Sequence, residues 1–81
     1  MLKEYKQISS CPICRQGMVE IVKECSTGIL FLLCDECEAE WDSPEDIGVY
    51  GKGSRQKYGR VTAPTECEIS DRDWTEYILN K

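Results

Sequence analysis

The chain has 81 residues, 41% apolar and 31% charged, with ten basic against fifteen acidic side chains, a formal net charge of −5 and no histidine. A chain this short struggles to outweigh its conformational entropy with an apolar core alone, so a metal, a set of disulfides or a partner is expected to staple it. The missing histidine excludes cysteine–histidine and serine–histidine nucleophilic mechanisms, and the longest apolar run, GILFLL at 28–33, falls far short of the roughly 20 residues that cross a bilayer.

The first ten residues, MLKEYKQISS, mix charges throughout and hold no apolar central region or small-residue cleavage site. Such a start does not read as a secretory signal, so a reducing, cytoplasmic setting is expected. Six cysteines follow, at 11, 14, 25, 34, 37 and 67. Four of them form two C-x-x-C pairs, CPIC at 11–14 and CDEC at 34–37, separated by the 19 residues 15–33. That spacing is the one expected of a four-thiolate zinc site. Each tight turn points two sulfurs to one side and supplies half of a tetrahedron.

Bringing the halves together needs a segment that goes out and returns. MVEIVKE at 18–24 alternates imperfectly, ILFLL at 29–33 reads as a buried strand, and CSTG between them carries turn chemistry with Gly28 free to take a positive φ. Cys11, Cys14, Cys34 and Cys37 are therefore the predicted ligands of one structural zinc. Gly17 follows the first pair closely and no glycine follows the second, so the two turns are not expected to be geometrically equivalent. Trp41, just after the second turn, is expected to cover one side of the site.

CPIC and CDEC, with a two-stranded hairpin between them, make residues 9–42 resemble the zinc-ribbon families. CDECEAEW followed by SPED is similar, more loosely, to small stand-alone bacterial zinc-ribbon proteins. The resemblance implies the ribbon fold and the metal, and leaves function open, because ribbons serve transcription factors, ribosomal proteins, enzymes and adaptors alike. Four sulfurs also suit iron, so a rubredoxin-like electron carrier is the rival at the metal. A closed four-cysteine site leaves no coordination position for water, which points to a structural ion and to a chain that is not an enzyme. Cys25, in the hairpin turn, and Cys67 are read as ordinary free thiols.

The second knuckle is crowded with acids: Asp35, Glu36, Glu38 and Glu40. Added negative charge disfavours four thiolates around a divalent ion. These carboxylates are read either as solubilising or as a surface that receives a basic protein partner, an inhibitor or immunity protein for a basic toxin or nuclease being one version.

SPED at 43–46 predicts a short helix over 43–48, with Ser43 as cap and Pro44 in the first turn. Residues 51–60, GKGSRQKYGR, hold three glycines, four basic side chains and no acid, and are expected to form a mobile loop or loose hairpin, the centre of a glycine-rich basic loop at 49–64. Lys52, Arg55, Lys57, Tyr58 and Arg60 make it the one candidate nucleic-acid contact in an otherwise acidic chain. The last segment, 65–81, carries a capping box at Thr65 and Glu68. A second cap at Ser70 and Asp73 then predicts an amphipathic helix with Trp74, Tyr77 and Ile78 on one face and Asp73, Glu76 and Asn80 elsewhere. The whole is expected to be one small α+β domain, a four-cysteine zinc-ribbon hairpin with short C-terminal helices.

Overall fold

The computed structural model describes residues 5–79. Five antiparallel strands form a single sheet: β1 (Lys6–Ser10), β2 (Met18–Glu24), β3 (Leu30–Cys34), β4 (Glu40–Trp41) and β5 (Val61–Thr62). The order is β1-β2-β3-β4, and β5 joins β2 at Lys23 and Glu24, beyond the stretch of β2 that β1 occupies. A register shift lies between Gln7 and Ser9. Both outer flanks carry a further backbone contact: the Leu79 N–H donates to the Gln7 carbonyl at 3.0 Å, and Ser54 bridges to Glu40 alongside β4.

β2 and β3 are the expected hairpin, turned at residues 25–28 with Gly28 at φ +79. β2 is buried on both faces, which explains its imperfect alternation. Residues paired across the strands share a face, so Ile21 lies beside Leu32, and Val19 beside Cys34. With Ile8, Leu30 and Trp41 they form the main core, and Ile69 and Trp74 from the C-terminal segment cover it. The opposite face holds Val22 paired with Phe31, and a row made by Glu20, Leu33 and Glu40. Tyr58 covers that face, its ring stacked on Phe31 with centroids 3.9 Å apart and planes 12° from parallel.

The stretch 51–60, read as a mobile loop or a loose hairpin, lies against the sheet. Its middle is a strap laid over the second face of the sheet and carried on into β5, and its contacts join residues 14 to 35 positions apart. Nothing local in a glycine-rich basic segment announces such distant partners.

The helical expectations are met in part. Ser43 caps a single 3-10 turn, Pro44–Asp46, its hydroxyl accepting from the Glu45 N–H. Thr65 and Glu68 form the reciprocal capping box of the one short helix, α1 (Glu66–Asp71), and Glu68 is tied to β2 through the Lys23 ammonium at 2.7 Å. Ser70, however, lies inside α1 and caps nothing. Asp73 takes φ +60 and the following amphipathic helix reduces to one 3-10 turn, Thr75–Tyr77, whose preceding residue Trp74 makes no side-chain cap. Trp74 still enters the core, and Tyr77 and Ile78 pack against it. The apolar side chains reach their places through an irregular chain, because packing rewards their position and not a helical period. Asn80, assigned to the polar face, lies outside the described residues. Among the described residues no helix is long and apolar enough to cross a membrane.

Candidate metal centre

The sheet delivers the two C-x-x-C turns to one end. Cys11 follows β1 directly, β2 leaves the first turn, β3 ends on Cys34, and β4 leaves the second. The four sulfurs lie within 4.8 Å of one another. Cys11 and Cys37 are 3.8 Å apart at sulfur, and Cys14 and Cys34 are 3.6 Å apart. A zinc–sulfur bond of about 2.3 Å puts the edges of a regular ZnS4 tetrahedron at about 3.8 Å. The donors thus fit a single tetrahedral, thiophilic ion, in a small zinc-ribbon-like arrangement.

Backbone N–H groups converge on the sulfurs. Ile13 donates to Cys11 and Gly17 to Cys14, while Glu36 and Cys37 both donate to Cys34, each at 3.4 Å. Such donors spread thiolate charge into the backbone. The N–H groups of Gln16 and Gly17 bring the Cys14 thiol down to about 6, against the opposing effect of burial. Burial dominates at Cys34 and pushes it up to about 12. Cys37 also feels burial, but the Ala39 N–H and Arg55 outweigh it and the net shift is downward. The protein scaffold alone thus stabilises the anionic form at the two outer, half-buried sulfurs.

The two turns are similar without being equivalent, as expected. Arg15 and Glu38 each follow the second cysteine of a pair, and they take φ +61 and +64. Each turn is closed by a backbone bond of 2.9 Å, but Cys11 N–H reaches the Gly17 carbonyl six residues on and Cys34 N–H the Ala39 carbonyl five residues on, so the first turn is one residue longer. A left-handed conformation is tolerable at single non-glycine residues when the surroundings fix it, so the residue after each pair need not be glycine.

Gly17 has a different duty. A Cβ there would lie 2.6 Å from Asp35 Oδ1 and 2.7 Å from Glu36 Cβ. The first turn passes against the second with no room for a side chain. Asp35 uses the contact: its carboxylate accepts from the Met18 N–H at 2.9 Å, and its own N–H donates to the Met18 carbonyl at 3.0 Å. Gly17→Ala is expected to cost about 2 kcal/mol through overpacking and to weaken zinc retention in a chelator competition. A fully retained metal would show that the turns can separate without loss.

The four acids of the second turn have unlike fates. Asp35 is half-buried as that brace, Glu36 and Glu38 are exposed, and Glu40 is only 4% exposed. The Glu40 carboxylate accepts from Ser54 Oγ and the Lys57 N–H at 3.0 Å, and from the Tyr58 N–H at 3.4 Å. It is the internal anchor of the strap and contributes nothing to a free surface. Its position in β4, with β4 paired to β3 and bridged to Ser54, is what turns it inward.

The basic strap residues are likewise partly engaged. Arg55 Nε donates to the Cys37 carbonyl at 3.1 Å, and Lys57 pairs with Asp42 at 2.9 Å. The Tyr58 hydroxyl also donates to Asp42, and together with Lys57 it holds that carboxyl below its usual value, whereas burial and Asp42 push Tyr58 up to about 12. Lys52 and Arg60 are exposed, the Arg60 carbonyl accepting from the Cys25 N–H. Cys25 and Cys67 are exposed free thiols and take no part in the cluster. Trp41, 2% exposed, packs in the same core as Cys11 and Cys34. No family model, no curated protein and no solved structure matches the chain.

Proposed function

We propose that the chain is a non-catalytic binding module, built on one structural zinc held by Cys11, Cys14, Cys34 and Cys37, that recognises a basic protein partner through its second knuckle. The observation that carries this reading is the cluster itself: four sulfurs with tetrahedral spacing and converging backbone donors. With all four positions filled by protein, the ion's contribution is to hold the turns together. Glu36 and Glu38 are displayed on the turn so fixed, and rigid, like-signed charges steer an oppositely charged partner. An inhibitor of a basic toxin or nuclease is one form such a module takes. Nucleic-acid binding by the strap ranks second, since Lys57 is neutralised by Asp42 and Arg55 is held on the knuckle. Iron in place of zinc would make the purified protein red, with charge-transfer bands that zinc lacks.

The test reverses only the two acids that are free of structural duty. Native mass spectrometry of the untagged protein from its own cells weighs the metal and any retained partner together. With Glu36→Lys and Glu38→Lys combined, the zinc should stay and a basic partner should be lost. A partner retained by that variant would leave the two acids a solubilising role alone.

A further inference from the structure

Between the first knuckle and residues 48–55 lies a groove of about 540 Å³ whose walls include Pro12, Ile13, Trp41, Val49, Tyr50 and Arg55, with Ala39 of the acidic turn at its side. Five large apolar residues are exposed among the described residues, and three of them, Ile13, Val49 and Tyr50, line this one groove. Such a concentration marks a contact surface more than scattered exposure does. Two polar groups give the groove a sign. Arg55 is its one charged wall residue; its Nε is spent on the Cys37 carbonyl at 3.1 Å, and the guanidinium has no carboxylate partner among the described residues. Lys52 stands in the chain between the wall residues Gly51 and Gly53.

The second polar group is the indole of Trp41. Nothing among the described residues accepts a hydrogen bond from its N–H, yet no sealed side-chain nitrogen or oxygen lacks a partner. Nε1 therefore reaches the groove, and it is the atom nearest to the space above Gly53, 3.4 Å from where a Cβ would stand. A buried tryptophan normally finds an acceptor for this group. Here the acceptor must come from outside.

We propose that this groove docks an acidic–apolar protein segment, an apolar side chain filling it while a neighbouring carboxylate faces Arg55 and the Trp41 indole N–H. Apolar walls supply area and two convergent donors supply orientation, which is the usual division of labour in a binding groove. A basic segment would meet Arg55 with like charge. A purely apolar one would leave the indole N–H without an acceptor.

The experiment uses the zinc-loaded full chain, labelled with nitrogen-15, and two capped tripeptides, leucyl-aspartyl-leucine and leucyl-lysyl-leucine. The chain has two tryptophans, so its spectrum holds two indole N–H signals, and Trp74, packed under Arg72, is the internal control. The Trp41 signal should move saturably with the aspartyl peptide while that of Trp74 stays. The lysyl peptide should bind at least about fivefold more weakly, and Arg55→Gln should remove that preference. An unmoved Trp41 signal up to about 20 mM peptide, equal binding of the two peptides, or a preference for lysine would each overturn the proposal. The decisive comparison needs no variant, and it does not use the Glu36 and Glu38 carboxylates.

Discussion

Serine in place of any one of Cys11, Cys14, Cys34 or Cys37 is expected to unfold the chain at ordinary temperatures. Structural zinc in comparable small sites contributes on the order of 10 kcal/mol, whereas the net stability of a whole domain is only about 5–15 kcal/mol. The four sulfurs also belong to the core: Cys11 and Cys34 are 1% exposed and pack with Val19, Leu32 and Trp41. Losing one thiolate loosens the ion and opens that packing together. Circular dichroism melts should show no cooperative transition for these four variants, and a strong chelator should abolish the transition of the unaltered protein. Cys25→Ser and Cys67→Ser, at exposed thiols, should each shift stability by less than about 0.5 kcal/mol. A folded, metal-bearing Cys37→Ser protein would mean that three ligands suffice.

Glu40→Ala is expected to destabilise the zinc-loaded protein by about 3 kcal/mol. The carboxylate receives two backbone N–H groups and a hydroxyl, and each buried donor left unsatisfied costs about 1–3 kcal/mol. The damage should be local at first, since Glu40 secures residues 54–58 and lies remote from the C-terminal cover of the other face. Amide exchange should therefore quicken at Lys57 and Tyr58 well before it does at Ile21 or Leu32, and Phe31 should lose the stacked Tyr58 ring. Glu40→Gln keeps an acceptor oxygen and should recover about half of the loss. A change no greater than that of Glu36→Ala, at an exposed acid, would show that the strap is held by other contacts.

These two positions also show what the sequence reveals and what it hides. The ligand set is legible because a metal site written as two C-x-x-C pairs is a local pattern, and its hairpin follows from the need to bring the pairs together. The capping box at Thr65 and Glu68 is legible for the same reason: four consecutive residues suffice to state it. Glu40 is opaque. It stands in a run of acids that differ only in which way the chain turns them, and that depends on a pairing with Ser54 set by the tertiary fold. The shared left-handed residue of the two turns is hidden too, because Arg15 and Glu38 adopt a conformation that composition assigns to glycine. Gly17, read as the exit from the first turn, proves to be the place where the second turn leans on it, a contact 18 to 19 residues away in sequence. Trp74 and Ile78 were readable as core by their apolar character, but not the irregular path that brings them there.

The closed flanks of the sheet bear on how the protein behaves when concentrated. ILFLL, at residues 29–33, combines high β-propensity with no charge, the kind of segment that seeds cross-β stacking when a neighbouring strand edge is open. Here residues 30–33 of it lie in β3, paired to β2 along their length and to β4 at Leu32 and Leu33. The register shift and Leu79 blunt the β1 side, and Ser54 occupies the β4 side. An edge so occupied offers no template for a second chain. The strap thus acts as a guard against self-association as well as a cover for Phe31, and a chain unfolded by loss of the metal would expose ILFLL to its neighbours.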